Sequence, residues 1–286
     1  MQVTQSLAKF IYLVLTFIGF NFFVQEPSNS DISLWKVTSS AGGEIYFLNN
    51  IEENRTNQIY QDLLDKTEVL VFEMDFEAFE QSYSELIQNK GLSSEGEDIK
   101  NDLSPEIYQK LEEQSTALGL PLEAVKNLRP WFIAVVLQAH EIQNSIDTSF
   151  TTNEQLFYET KKTNNEIKYL ETAEFQINLF ADMSKEKQLT YLTYILNHPS
   201  YFQKLNEIIL VKENQNLVDR ELSNFPNALY QDLVAQRNKH WLPQIKKFIH
   251  QQESALVILN PGHLHGAEGL LTLLEKEGYQ VEPQKI

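Results

Sequence analysis

The chain has 286 residues, of which 42% are hydrophobic and 11% aromatic, and this apolar content predicts a folded core instead of a disordered chain. Its formal net charge is −17, which argues against a nucleic-acid partner because a negative surface repels phosphate backbones. The chain has no cysteine, so disulfide bonds, thiolate metal ligands and a cysteine nucleophile are excluded.

The first 25 residues have the layout of a targeting segment. Lys9 is their only charged side chain, and it precedes an apolar run from Phe10 to Val24. A basic start followed by an apolar stretch is typical of a signal peptide, and the run is short for a transmembrane helix, which needs ~20 residues. No clear cleavage site follows, so an uncleaved membrane anchor is the alternative. We expect residues 32–286 to form an exported domain, periplasmic or associated with the cell envelope.

Apolar runs of strand length lie toward both ends of the chain, and helical spacing dominates the middle. The predicted strands are residues 33–37, 44–48, 68–73, 166–171, 255–259 and 279–282. Gly42 and Gly43 predict a hairpin turn between the first two strands. Ser104 and Pro130 mark predicted helix starts, and a last helix is expected over residues 265–276. The pattern predicts an α/β fold with a mixed sheet of N- and C-terminal strands and a helical insertion of roughly residues 76–165 and 180–240.

Two segments of the sequence share one layout. In Ile45–Glu52 and in Leu256–His263, an apolar strand is followed by Asn, two further residues and a side chain that can bind metal. Ligands bind at strand ends in α/β folds, so the two segments are candidates for one site. Chance similarity between two short strands is the alternative. No nucleophile elbow, P-loop or dinucleotide fingerprint is present.

Several short motifs occur in an order that is similar to that of the TraB/GumN (TIKI-like) family. They are Leu34-Trp-Lys-Val37, Leu70-Val-Phe-Glu73, Arg129-Pro-Trp131, Asp147-Thr-Ser-Phe150, Tyr169-Leu-Glu-Thr172, Arg237-Asn-Lys-His-Trp241 and the ending from Asn260 to Leu270. The resemblance implies an α/β fold related to erythromycin-esterase-like and haem-binding ChaN-like proteins. Some animal members, the TIKI proteins, are regarded as metal-dependent membrane proteases, and bacterial members include pheromone-shutdown and polysaccharide-cluster proteins.

The chain departs from the family pattern at its two Gly-x-x-His motifs. The first reads Asn49-Asn-Ile-Glu52, so glutamate replaces the histidine, and the second reads Asn260-Pro-Gly-His263. Asn tolerates a left-handed backbone, so the turn at Asn49 is expected to persist. Pro261 favours an extended Asn260 and makes the second turn less secure.

The resemblance implies a metal site made by Glu52, Glu73, Glu171 and His263. Three carboxylates and one imidazole would favour Mn, Co or Mg over a histidine-rich zinc site. Neighbouring carboxylates must share a cation or a proton, and Arg237 is the alternative to a metal. Each of these side chains also has a purely structural interpretation, such as a solvated strand end, a surface salt bridge or a helix cap.

Two hypotheses about function follow from these residues. In the first, the chain is a metal-dependent hydrolase resembling a peptidase. Glu73 or Glu171 is then a ligand or general base, while Arg237 and Asn238 orient the substrate or stabilise an oxyanion. In the second, the chain is a catalytically eroded envelope protein that binds a peptide or small-molecule ligand in the same cleft. A haem-binding or structural envelope protein is a third class, which rests on fold analogy alone.

Overall fold

The computed structural model describes residues 34–48, 51–145, 150–151, 153–199, 225–251 and 253–284. The predicted targeting segment, the predicted turn at Asn49 and the motif residue Asp147 lie outside these ranges. Among the helices described, none is both long enough and apolar enough to span a bilayer.

A mixed six-stranded sheet forms the centre of the protein, as the sequence predicts. Its strands follow the order β6-β4-β7-β2-β1-β8. The four strands from β6 to β2 are mutually parallel, and β1 and β8 complete the sheet with antiparallel pairings. A separate two-stranded ladder joins β3 to β5. The strand bounds are β1 Leu34–Thr38, β2 Glu44–Leu48, β3 Ile51–Glu52, β4 Val69–Phe72, β5 Phe150–Thr151, β6 Glu166–Tyr169, β7 Ala255–Ile258 and β8 Gln280–Gln284.

The two segments with a shared sequence layout are neighbours in the sheet. Strand β2 pairs in parallel with β7, and Leu48 lies opposite Ile258. The carboxyl ends of both strands therefore reach the same edge of the sheet. Strand β7 also pairs in parallel with β4, which places Phe72 on its other side, opposite the same Ile258.

Helices cover both faces of the sheet and fill the connections between its strands. Most of them lie between β4 and β6 or between β6 and β7, in the regions where a helical insertion is predicted. Ser104 caps one of them as predicted, because its side chain accepts a hydrogen bond from the Ile107 N–H at 3.3 Å. The helices are α1 Glu53–Lys66, α2 Phe76–Lys90, α3 Pro105–Ala117, α4 Leu122–Val125, α5 Pro130–Ser145, α6 Asn153–Thr160, α7 Ala173–Ala181, α8 Lys185–Asn197, α9 Asn227–Tyr230, α10 Gln236–His250, α11 Pro261–Leu264 and α12 Leu270–Lys276.

Successive residues of the central strands enter two separate hydrophobic cores. In β4, Leu70 and Phe72 pack into the larger core, whereas Val69 and Val71 pack into the smaller one. Side chains alternate between the two faces of a strand, so a strand covered on both faces must be apolar throughout. The inward face of α10 packs into the smaller core, where its Trp241 is fully buried.

The predicted helix over residues 265–276 is wrong in its first part. The helix α12 begins only at Leu270, and the short helix α11 ends at Leu264. Gly266 lies between them with φ of +91°, a left-handed conformation that interrupts a right-handed helix. Gly269 is tightly enclosed, because a Cβ atom there would lie 2.2 Å from the His265 carbonyl oxygen.

Candidate functional site

Three neighbouring parallel strands each deliver a polar side chain to one edge of the sheet. Glu73 directly follows β4, Glu171 comes shortly after β6, and Asn260 comes shortly after β7. A hydrogen bond of 2.8 Å from the Glu171 N–H to the Glu73 carbonyl oxygen continues the β4–β6 ladder beyond the strands. The two carboxylates predicted from the sequence are therefore brought together. Both residues are buried, with 6% and 8% exposure.

A basic side chain reaches this edge from α10. The helix is preceded by one π-helical turn, Gln231–Ala235, in which the Gln236 N–H bonds the carbonyl of Gln231, five residues earlier. A π-turn is wider than an α-turn and is frequent at functional sites. Within this segment, the Leu233 carbonyl accepts a hydrogen bond of 3.1 Å from the Arg237 Nη1–H.

Arg237 connects the three main residues of the predicted site. Its Nε–H donates to Glu171 Oε1 at 2.9 Å, and its Nη2–H donates to Glu171 Oε2 at 2.8 Å. The same Nη2 donates to Glu73 Oε2 at 3.1 Å, and Nη1 donates to His263 Nε2 at 3.0 Å. Burial lowers the pKa of the guanidinium, but Glu171 and Glu73 more than offset this effect and raise the pKa above its usual value. Arg237 is therefore the resident cation of a buried cluster.

The carboxylate of Glu73 accepts hydrogen bonds at both oxygens. Asn260 donates twice to Oε1, from its backbone N–H at 2.9 Å and from Nδ2 at 2.5 Å, while Arg237 contacts Oε2. Burial raises the pKa of Glu73 to about 7, although Arg237 and Asn260 act in the opposite direction. Glu73 is thus a carboxylate that can exchange a proton near neutral pH.

The neighbouring Asn238 fixes the tautomer of His263. Its Nδ2 donates to the carbonyl oxygens of His263 at 3.1 Å and Glu268 at 2.8 Å, so its Oδ1 must be the atom 2.7 Å from His263 Nδ1. Nδ1 therefore carries the proton, and Nε2 offers its lone pair to Arg237. Burial and the Arg237 charge hold the pKa of His263 well below its usual value, so the ring is neutral.

Trp241 closes the cluster on the side of the smaller core. It lies one helical turn after Arg237 in α10, and its Nε1–H donates to Glu171 Oε1 at 2.9 Å. The guanidinium carbon of Arg237 lies 4.7 Å from the centre of its ring, and the His263 ring centroid is 4.4 Å away. The indole therefore excludes water from the charges and provides a cation–π contact.

The arrangement of donor atoms does not fit a metal ion. The carboxylates of Glu73 and Glu171 and the Nε2 of His263 all face one guanidinium. An ion bound by these atoms would displace a buried cation from its partners. Glu52, the fourth predicted ligand, lies in β3 opposite Phe150 of β5, and its side chain is outside the described part. Its role as a ligand stays a prediction.

Four polar side chains of this region are not among the site residues predicted from the sequence. Two of them, Trp241 and Asn260, stand inside family-like motifs. Gln176 of α7 donates to Glu171 Oε2 at 3.4 Å, and Asn153 of α6 donates to Asn260 Oδ1 at 3.4 Å. The signals available were the position of Asn260 just after a buried strand and the one-turn spacing of Trp241 from Arg237. Nothing in the local sequence points to Gln176 or Asn153.

The fold and the site define a class of α/β protein with a buried Arg–Glu–Glu–His cluster at the carboxyl edge of a mixed sheet. The sequence profile of the TraB/PrgY/gumN family matches residues 53–283, and the chain belongs to that family. No curated protein and no solved structure matches the chain significantly.

Proposed function

We propose that this chain is a ligand-binding member of its family in which Arg237 takes the place of a metal ion. The ligand is a peptide or a small molecule. One observation carries the proposal: the guanidinium contacts Glu171 at 2.8 Å, His263 at 3.0 Å and Glu73 at 3.1 Å. These contacts use the lone pairs that a catalytic metal would need. The replacement of histidine by Glu52 in the first family motif supports the same proposal.

Energetics favour retention of the guanidinium. Breaking a buried ion pair by removing one partner costs about 3–5 kcal/mol, because the remaining charge is left without compensation. Arg237 is only 4% exposed and has two carboxylate partners. A divalent ion would have to recover this cost as well as the loss of its own hydration. The cluster is therefore expected to be a fixed wall of a binding site.

Metal analysis of the full chain, purified in mild detergent, tests the absence of metal chemistry. After incubation with Mn²⁺, Co²⁺ or Mg²⁺ and removal of free ions, we expect no more metal than in a buffer blank and no cleavage of reporter peptides. The matched variants Arg237→Met and Arg129→Met separate the site from a general effect of losing an arginine. We expect only Arg237→Met to acquire Mn²⁺. Stoichiometric metal with metal-dependent cleavage by the native chain would contradict the proposal.

Ligand binding is tested separately with synthetic tripeptides, by thermal shift and by titration of the intrinsic tryptophan fluorescence. Trp241 contacts both Arg237 and Glu171, so a ligand that reaches the cluster is expected to change its emission. A matched Trp131→Phe variant should keep this signal, since Trp131 donates to the Lys90 carbonyl in a different part of the protein. If no tripeptide of any composition shifts either signal, the peptide-binding proposal is wrong.

A second candidate function is hydrolysis with Glu73 as general base. The observation that favours it is the pKa of Glu73, raised to about 7 mainly by burial, which suits proton transfer at neutral pH. Asn238 would then hold His263 in place, since its amide is fully used by His263 and Glu268. Peptide turnover that survives chelation and is lost in Glu73→Gln would favour this candidate over simple binding.

The location of the protein is part of the proposal. Lys9 and the apolar run from Phe10 to Val24 support export to the periplasm or cell envelope, with membrane contact only through this segment. Fractionation of cells that express the full chain, compared with a chain lacking residues 1–25, tests it. Equal recovery of both chains from the cytoplasmic fraction would contradict export.

A further inference from the structure

Strand β6 forms one edge of the six-stranded sheet, with β4 as its neighbour on the other side. The N–H groups of Glu166 and Leu170 donate to carbonyl oxygens on the β4 side, each at 3.0 Å. Backbone groups of successive residues in a strand point in opposite directions. The N–H and C=O groups of Ile167 and Tyr169 therefore point away from the sheet.

These outward backbone groups are available for pairing. Within the described ranges, no hydrogen bond is made by the N–H or C=O groups of Ile167 and Tyr169. The strand is also reached by solvent, because Glu166 is exposed and the three following residues are partly exposed. Two donors and two acceptors, repeated every second residue, are the pattern to which another extended chain can bond.

The opposite edge of the sheet, strand β8, is closed to such pairing. The Ser39 N–H donates to the Gly43 carbonyl at 2.9 Å, so the odd-numbered residues of β1 bond β2 and the even-numbered ones bond β8. The outward positions of β8 are therefore Val281 and Pro283. Proline has no N–H to offer and is typical of edge strands that stay unpaired. The two edges thus differ, and β6 is the open one.

The open edge leads directly to the candidate site. Strand β6 ends at Tyr169, and Glu171 follows two residues later. Phe175, in the first turn of α7, is 39% exposed, and its ring stacks on that of His240 with 6.3 Å between the centroids. His240 directly precedes Trp241, which bonds Glu171. A ligand paired with β6 would therefore lie next to the site and beside an exposed aromatic ring.

The charged side chains of β6 favour one sequence pattern in a paired strand. Glu166 and Lys168 are two residues apart and lie on the same face, with side chains 63% and 30% exposed. Residues directly opposite each other in an antiparallel pair interact, and opposite charges stabilise the pair. An antiparallel ligand strand with an acidic residue opposite Lys168 and a basic residue opposite Glu166 is therefore favoured.

We propose that the ligand binds to β6 as an additional antiparallel β-strand. The proposal rests on the proposed ligand-binding function and deepens it, because it names the ligand as an extended peptide recognised mainly through its main chain. The peptide residues opposite Ile167 and Tyr169 each exchange two hydrogen bonds with the edge. A helix or a compact small molecule does not present donors and acceptors at this spacing.

Titration calorimetry with the full chain, purified in mild detergent, tests the proposal. The probe is acetyl-Val-Glu-Val-Lys-Val-amide, whose Glu lies opposite Lys168 and whose Lys lies opposite Glu166 in the proposed register. The isomer with Glu and Lys exchanged keeps the composition and net charge but places like charges opposite each other. We expect the probe to bind and the isomer to bind severalfold more weakly. Equal affinity of the two peptides would overturn the antiparallel arrangement.

N-methylation of the probe tests pairing through the main chain. A methyl group on the first or third residue blocks an N–H that faces β6, whereas one on the second or fourth residue blocks an N–H that faces away. We expect the first pair of changes to weaken binding roughly tenfold or more, and the second pair to have little effect. Equal affinity of all four methylated peptides would show that the peptide binds elsewhere. Peptide binding would then stand and strand addition would be wrong.

The variant Ile167→Pro removes an outward N–H and leaves the ladder to β4 in place. We expect it to weaken binding of the probe roughly tenfold. Val281→Pro is the matched control, since it makes the same change at an outward position of β8 on the opposite edge. Equal affinity of the two variants would refute the docking edge. If Ile167→Pro does not fold, the methylation series on the native chain decides the question.

Sedimentation velocity separates a peptide from a second copy of the chain as the occupant of the edge. We expect the native chain and Ile167→Pro to sediment alike. A native dimer that dissociates in Ile167→Pro would show that β6 pairs with a second copy, which would overturn the proposal. If tripeptides bind but the probe does not, strand addition alone fails. If neither the probe nor any tripeptide binds, the ligand-binding function fails with it.

Discussion

The Oδ1 atom of Asn238 lies 2.7 Å from Nδ1 of His263, and this contact determines which imidazole nitrogen is available to the rest of the site. Asn238 can only accept there, because its Nδ2 is used by the carbonyl oxygens of His263 and Glu268. The remaining nitrogen, Nε2, therefore carries no proton, and its lone pair accepts a hydrogen bond from Arg237 Nη1, 3.0 Å away. Without Asn238 the same imidazole could turn either nitrogen toward the cluster.

Changing Asn238 should disturb both stability and the tautomer. Asn238→Ala removes the amide that donates to the His263 and Glu268 carbonyl oxygens and accepts from His263, so we expect a loss of about 3 kcal/mol in the free energy of unfolding. In Asn238→Asp, a carboxylate next to Nδ1 should raise the pKa of His263 from its depressed value. Ring ¹⁵N chemical shifts across a pH titration measure the tautomer. Unchanged shifts in the aspartate variant would contradict the assignment.

Removal of the guanidinium should be among the most destabilising single changes in the site. Arg237→Met leaves Glu73 and Glu171 buried without a cation, and we expect a cost of about 3–5 kcal/mol at neutral pH in urea unfolding. The cost should shrink as the pH falls, because protonation of Glu73, whose pKa is raised, removes one of the two uncompensated negative charges. Arg129→Met is the control, since the described contacts of the Arg129 side chain are hydrogen bonds to the Lys90 and Ala181 carbonyls and include no carboxylate. Its cost should not depend on pH in this way.

The raised pKa of Glu73 predicts a pH dependence with a definite sign. The folded protein binds this proton with a pKa of about 7, against 4.5 for an unperturbed glutamate, so it holds more protons than the unfolded chain between these values. The contribution of Glu73 to stability is therefore largest at low pH and falls as the pH rises through this window. The native chain loses this contribution as the pH is raised from 4.5 to 7, and Glu73→Gln does not. The free energy of unfolding of Glu73→Gln, relative to that of the native chain, should therefore increase over this range.

The control for this pH dependence is Glu68→Gln, which changes an exposed glutamate a few residues earlier in the sequence. It measures the effect of removing a surface carboxylate, against which the pH dependence of Glu73→Gln is compared. Both variants are compared with the native chain by denaturant unfolding at several pH values. A stability difference for Glu73→Gln that does not change across the window would show that the pKa of Glu73 is not raised.

The close approach of a turn to α10 predicts a strong effect of one glycine. A Cβ atom at Gly43 would lie 1.8 Å from the carbonyl oxygen of Ile249, so the helix that carries Arg237 would have to move. Overpacking of this kind costs about 1–3 kcal/mol, and we expect Gly43→Ala to be at the upper end of that range. Gly42→Ala has open space but a φ of +95°, so it should cost about 1 kcal/mol from backbone strain alone. Thermal unfolding distinguishes the two variants.

The sequence predicts the centre of the sheet well because β4 and β7 are apolar and buried throughout. The predicted bounds of β2 coincide with the observed ones, and β4, β6 and β7 lie within the predicted ranges. The helix predicted over residues 265–276 begins only at Leu270, because the left-handed Gly266 interrupts it. Strand order could not be predicted. Nothing in the local pattern says that β7 enters the sheet between β4 and β2.

Of the candidate site, the sequence identified Glu73, Glu171, Arg237, Asn238 and His263, which lie in direct or linked contact. It did not decide between a metal and Arg237 as the cation. That choice depends on where the Arg237 side chain lies and on the orientation of the Asn238 amide, which have no reliable sequence signal. A small cavity beside Glu73 has walls from four separate parts of the chain, so no local pattern predicts it.

The amino-acid sequence by itself determined the family, the α/β class and the acidic side chains at the strand ends, since these follow from local patterns of apolar and polar residues. The tertiary structure decided which charges meet. Arg237 and Glu73 are separated by 164 residues, and their contact at 3.1 Å exists only because the packing of α10 on the sheet brings them together. Charge compensation and burial depend on distances through space, and a local sequence pattern carries little information about them.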